Sequence, residues 1–131
     1  FSEEIDIFEV FGKARKNKII ELIMPVHRYQ TPYVESLVNK KKYKLDNRYK
    51  KLIVDYDFFS DYHVYGLLWN SEELIWFLDG KEVFRRKNDF FKRPLHVVFD
   101  AEIMETWDGL PNSNDLPSDL KIDYVRVWRN K

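Results

Sequence analysis

The chain has 131 residues, enough for one domain with its own core. Its 22 basic and 22 acidic residues cancel to a net charge of about zero, which argues against a dedicated nucleic-acid binder. It has no cysteine, so disulfides, thiolate metal sites and cysteine nucleophiles are excluded, and no apolar run has the length of a membrane-spanning helix.

The first predicted element is "SEEIDIFE", residues 2–9, a strand-like apolar stretch in which four of eight residues are acidic. Side chains of an extended strand alternate faces, so Glu4 and Asp6 share one face and Glu9, an odd step further on, points to the other. A β-bulge at Ile7-Phe8 adds one unpaired residue and returns Glu9 to the face of Glu4 and Asp6. Ile5 and one of Ile7 or Phe8 are then left for the core. Four effective strand steps separate the two glutamates by about 13 Å at the α-carbons. Side chains that lean inward by roughly 3 to 4 Å each bring the carboxyls to about 5 to 6 Å, near the separation of a retaining glycosidase pair. An aspartate between them can share a proton with the nucleophile, because close like charges do not all ionise. The spacing alone does not separate this chemistry from an exposed acidic face on an edge strand.

Residues 19–31, "IIELIMPVHRYQT", read as a strand interrupted near Pro25. Residues 33–45, "YVESLVNKKKYKL", read either as a short helix or as a basic loop. Lys40, Lys41, Lys42 and Lys44 form a solvated surface there, or else a rim that meets an anionic, sulfated polymer. Residues 62–69, "YHVYGLLW", are aromatic and β-branched and read as a strand. In "ELIWFLDGKEVFR", residues 73–85, two apolar runs flank Asp79-Gly80, a dipeptide that supplies the positive φ angles of a tight hairpin. Residues 93–103, "RPLHVVFDAEI", read as a buried strand. Residues 107–119 are rich in Gly, Pro, Asn and Asp and read as a loop. Residues 120–128, "LKIDYVRVW", read as the last strand, and their apolar phase shift after Tyr124 means that it is bulged or covered on both faces. The expected class is all-β. The aromatic content of 17% suits a β-rich core and a sugar-stacking surface equally.

In this order the segments resemble glycoside hydrolase family 16. "EIDIFE", residues 4–9, is similar to the family's active-site signature in its bulged form, Glu-x-Asp-x-x-Glu, typical of laminarinases, agarases, porphyranases and κ-carrageenases. Residues 62–85 resemble its His-x-Tyr…Trp strand and Asp-Gly hairpin, and residues 120–129 its closing strand. The resemblance implies a concanavalin-like jelly-roll β-sandwich with a substrate cleft on the concave face. It implies Glu4 as nucleophile, Asp6 as the assisting acid and Glu9 as the acid/base. The stretch "FDAEIMETWDGLP", residues 99–111, is similar to the Asp-x-Glu segment of agarase-like members. That makes Glu102 a candidate sugar contact and Trp107 a candidate stacking platform. His27 stands where agarase-like members often place a histidine near the acid/base. His63, Trp69 and Trp76 are read as structural. No cofactor is expected in catalysis, while the closing strand of some members implies a structural calcium with Asp123 as one ligand.

The implied activity is endo-acting, retaining hydrolysis of a β-linked polysaccharide by a secreted or cell-surface enzyme. The polymer is an algal galactan such as agar, porphyran or carrageenan, or a β-1,3-glucan. The rivals are a non-catalytic carbohydrate-binding β-sandwich or pseudoenzyme, and a purely structural β-domain. The complete set of three acids favours the enzyme, since a binding module has no need of all of them. In the family the catalytic strand falls near the middle of a longer domain. Residues 1–131 are therefore expected to be a single domain, the C-terminal part of a catalytic domain and only part of the full sandwich. Its expected partners are the polysaccharide and the N-terminal portion that it needs for activity, with neither nucleic acid nor a membrane span.

Overall fold

The acidic opening stretch forms two short strands, β1 (Ser2–Ile5) and β2 (Glu9–Val10), which pair antiparallel with the same strand, β3 (Ile20–Tyr29). β3 also pairs antiparallel with β4 (Arg48–Val54). A second antiparallel sheet is a meander of β5 (Tyr65–Trp69), β6 (Glu73–Leu78) and β7 (Lys81–Lys87). The computed structural model describes residues 2–10, 20–29, 48–54 and 59–129, and its class is all-β, as expected. The helical content among these residues is one four-residue turn, α1 (Glu105–Asp108), and a 3-10 turn at Ser113–Asp115. The chain divides into two units, Phe1–His96 and Val97–Lys131. No helix among the described residues is long and apolar enough to cross a membrane.

In the first unit the two sheets pack on one core. Met24 and Val26 of β3 meet Leu74 and Trp76 of β6 and Phe91, all essentially inaccessible to solvent. Ile5, Phe8, Leu67, Val83, Phe84 and Phe90 pack around them. Two-residue periodicity explains the choice: Met24 and Val26, like Leu74 and Trp76, are two steps apart and share a face. Ile75 is buried as well, which accounts for the unbroken apolar run of the middle strand. Each large side chain so buried contributes about 1.5 to 3 kcal/mol.

The hairpin forms as read. Asp79 and Gly80 adopt φ of 50° and 77°, and Trp76 stands opposite Phe84 in the following strand. The Asp79 carboxylate also accepts from the Val64 N–H at 2.9 Å and contacts His63 Nδ1 at 2.8 Å, so the turn is tied to the start of β5. The bend between β5 and β6 is held by Asn70, whose Oδ1 accepts the N–H groups of Glu72 and Glu73, both at 2.8 Å. His63, Trp69 and Trp76 all make fixed contacts here, with Trp69 Nε1 donating to the Phe91 carbonyl at 2.7 Å.

Asn88 is the buried polar hub of this unit. Its Nδ2 donates to the carbonyls of Asn70 (2.7 Å) and Phe91 (2.8 Å), and its Oδ1 accepts the Phe91 N–H at 2.9 Å. Asn88→Ala removes all three bonds from a site that is 2% exposed and should cost about 2 to 3 kcal/mol. Denaturant unfolding followed by tryptophan fluorescence checks this. A loss under about 0.5 kcal/mol would mean that water replaces the side chain.

Three expectations need correction. β3 runs through Pro25 without interruption. The Pro25 carbonyl accepts the Asp6 N–H, so its missing N–H faces the same neighbour, at the point where a bulge already breaks the ladder. Residues 93–103 and 120–128 form no strand, and Val97, Val98, Phe99, Val127 and Trp128 are exposed. A strand pattern records what a segment can pack against, and the described residues supply these two segments with no ladder partner. Residues 62–69 are a strand only from Tyr65 on. Residues 33–45, with Lys40 to Lys44, lie outside the described residues.

Candidate active site

The register against β3 fixes where each acid points. Glu4 lies opposite His27 and Ile5 opposite Val26, and on the far side of the break Glu9 lies opposite Ile23. From Ile5 to Glu9 the first strand advances four residues, while β3 advances three, from Val26 to Ile23. One extra residue therefore sits in the 6–8 stretch, which is the arithmetic of a β-bulge. Directly opposed residues share a face. Glu4 thus lies with His27, and Glu9 with Ile23, two even steps along β3 from His27. The Asp6 N–H donates to the Pro25 carbonyl at 3.1 Å, which places Asp6 level with Pro25 on that face. The other face goes to the core: Ile5 stands by the buried Val26, and Phe8 packs beside it while Ile7 is exposed. Of the two alternatives that the sequence left open, the core takes Phe8.

Glu3, the fourth acid, points away from the other three. Its side chain is 5% exposed, and its Oε1 lies 3.5 Å from Arg93 Nη2. The bulge thus sorts the four carboxylates, three to one face and one to a paired position on the other.

Crowding of the three acids shows in the chemistry of Asp6. Its carboxyl is pushed up to about 7, first by burial and then by the negative charges of Glu4 and Glu9. A hydrogen bond between the Asp6 and Glu4 side chains raises it further, while the His27 imidazole pulls the other way. His27 Nε2 lies 3.4 Å from Asp6 Oδ2, longer than an ordinary hydrogen bond. Near neutral pH Asp6 therefore carries a proton for much of the time and can donate it to Glu4.

The backbone of Asp6 is held from two sides. Besides the bond from its N–H to Pro25, its carbonyl accepts Trp76 Nε1–H at 2.9 Å. Trp76, read from the sequence only as structural, thus reaches the acidic strand from the opposite sheet. No local signal could have announced a contact between residues 70 positions apart.

Glu4, Asp6, Glu9 and His27 are brought together within the first unit. Glu102, Trp107 and Asp123 belong to the second. Glu102 is exposed outside any helix or strand, and Trp107 lies in α1, which Gly109 closes by donating its N–H to the Glu105 carbonyl at 3.0 Å. Asp123 is exposed. Calcium takes six to eight oxygen ligands. Among the described residues no group of three or more His, Asp or Glu side chains is placed to hold a metal.

The chain is 28% identical over 89 residues to glucan endo-1,3-beta-glucosidase A1 of Niallia circulans, covering 56% of this chain and 13% of that protein. It is 30% identical over 84 residues to the beta-glucanase of Rhodothermus marinus (53% and 29%) and 24% identical over 79 residues to the kappa-carrageenase of Pseudoalteromonas carrageenovora (53% and 20%). The chain thus spans less than a third of the length of these curated relatives. No solved structure matches it significantly. The sequence profile of glycosyl hydrolases family 16 aligns with residues 1–126, from the acidic strand to within a few residues of the end, and the chain belongs to that family.

Proposed function

We propose that the chain carries the catalytic strand of an endo-acting, retaining hydrolase of β-linked polysaccharides. The observation that supports this reading best is the single extra residue between Ile5 and Glu9, which puts Glu4, Asp6 and Glu9 on one face. In the first step the Glu4 carboxylate attacks the anomeric carbon while Glu9 delivers its proton to the departing glycosidic oxygen. The C–O bond breaks, and a glycosyl ester forms on Glu4. In the second step Glu9, now a carboxylate, takes a proton from water as that water attacks the same carbon and frees Glu4. Asp6 donates a hydrogen bond to Glu4 and limits how much negative charge the cluster holds at once. His27, beside Asp6, lines the same face as a substrate contact. Glu102 and Trp107, which belong to the second unit, are proposed as sugar contacts on the resemblance of residues 99–111 alone.

The names of the relatives cover β-glucans and carrageenan, so the proposed substrates are β-1,3-glucan or an algal galactan. Polymers of this size do not enter cells intact, and the reading includes action outside the cell or at its surface. Incubation of the full-length protein with a polysaccharide panel, with assay of new reducing ends, tests the activity. Binding without new ends would support the carbohydrate-binding alternative. Proton NMR of the first-formed product tests the stereochemistry. The expected outcome is initial appearance of the β-anomer from a β-linked substrate, because carboxyls about 5 to 6 Å apart leave no room for the water of an inverting enzyme. Initial α-anomer would overturn the assignment of Glu4 as nucleophile.

A further inference from the structure

We infer that Trp76 is a positioning residue for the candidate active site: its indole N–H, held in the core, latches the carbonyl of Asp6 and so fixes the bulge that gathers Glu4, Asp6 and Glu9. The inference rests on the hydrolase reading for its kinetic consequence but not for its structural one.

A bulge leaves backbone groups of the longer strand without ladder partners. Here the Asp6 N–H still finds the Pro25 carbonyl at 3.1 Å, while the Asp6 carbonyl turns to Trp76 Nε1 at 2.9 Å. Both backbone polar groups of the middle acid are therefore fixed, one by its own sheet and one by the opposite sheet. The donor is itself immobile. Trp76 is fully buried in one core cluster with Leu74, Met24 and Val26, and meets Phe84 with ring centroids 5.1 Å apart. A buried indole N–H needs an acceptor, and a bulge carbonyl needs a donor, so each satisfies the other.

Trp76 also stands at an irregularity of its own. It pairs with Phe84, and the next residue, Phe77, pairs with Glu82, so Val83 is an extra residue in β7. Bulges increase local twist and re-aim side chains. An irregularity thus lies beside each end of the Trp76–Asp6 hydrogen bond.

The consequence lies in the carboxyl cluster. Asp6 faces Glu4 on β1, Glu9 on β2 and His27 on β3. If the latch is removed, the 6–8 stretch gains freedom, the carboxyls spread and water enters. Misplacement on the ångström scale costs up to about 100-fold in rate. The substrate's remote contacts are left as they were.

The test replaces Trp76 in the full-length protein by β-(3-benzothienyl)alanine, which keeps the bicyclic shape and puts sulfur where the N–H was. Trp76→Phe serves as a second variant. Near-UV circular dichroism and a thermal melt establish that the variant is folded. Two quantities are then read. On the polysaccharide that the wild type cleaves, kcat should fall about 10- to 100-fold with KM within about twofold. By carbon-13 NMR of labelled aspartate, the Asp6 carboxyl should titrate lower than in the wild type by about one unit or more. A folded variant with the wild-type Asp6 titration overturns the inference, whatever happens to kcat, because a merely structural tryptophan would leave the cluster unmoved. If the wild type cleaves no polysaccharide, the hydrolase reading falls and the Asp6 titration alone decides: a lowered midpoint supports the latch, and an unmoved one overturns it.

Discussion

Glu4→Gln and Glu9→Gln in the full-length protein should each lower turnover on the order of 10³-fold and leave the fold intact. Glutamine keeps the size of the side chain and removes what the reaction uses. In the proposed mechanism position 4 then lacks the anionic oxygen that attacks carbon, and position 9 lacks the proton that the leaving group needs. Neither side chain contributes to the core: Glu4 is exposed, and both lie on the face of β1 and β2 that points away from Val26 and Met24. The two variants should differ in a telling way. An activated aryl glycoside, whose leaving group needs no proton, should restore the first step in Glu9→Gln, seen as a fast burst of released aryl group before slow turnover that still lacks its base, and should restore nothing in Glu4→Gln. Reducing-end and aryl-release assays on the same preparations measure both. Turnover within about tenfold of wild type for either variant would remove that residue from the mechanism.

The parts of this site that could be read from sequence are those written in local periodicity. The alternation of Glu4, Ile5 and Asp6 followed by a three-residue step to Glu9 predicts a bulge, because only one extra residue reconciles an apolar face with an acidic one. Asp79-Gly80 announces the hairpin, because few other dipeptides accept its φ angles. What could not be read depends on partners. Pro25 looks like a break until the neighbour that its missing N–H faces is known, and that neighbour is the bulge. Glu3 cannot be told from Glu4 by composition, yet one pairs with Arg93 across the core face and the other joins the acidic cluster. Residues 120–128 have a strand's pattern, and Tyr124 and Arg126 even stack as alternate residues do, with the guanidinium 4.4 Å from the ring centre. Pattern without a ladder partner is not a strand. The Trp76 contact is illegible for the same reason, since it joins two sheets rather than two neighbours.

Asp6 should make the protein less stable as pH rises from about 4 to about 7, the reverse of the usual carboxylate behaviour. Most native carboxylates are paired or hydrogen-bonded in ways that hold their proton affinity down, so they stabilise above the unfolded value and are lost in acid. Asp6 is shifted the other way, from 3.8 to about 7 in the folded chain, chiefly by burial and then by Glu4 and Glu9. Between those values the folded state binds more protons at this site than the unfolded state does. By linkage, stability then falls with rising pH through this window and levels off above it. A shift of this size is worth at most on the order of 4 kcal/mol. Other groups titrate in the same range, so the quantity to measure is the stability of wild type minus that of Asp6→Asn, by denaturant unfolding from pH 4 to pH 8. Asparagine has no proton to lose, so the difference should shrink or change sign as pH rises, moving in favour of the variant by a few kcal/mol. Parallel stability curves for the two proteins would show that Asp6 titrates as an ordinary carboxylate. In the proposed mechanism the cost at neutral pH has a functional reading: a third acid crowded against the other two destabilises the fold, and its return is a proton kept beside Glu4.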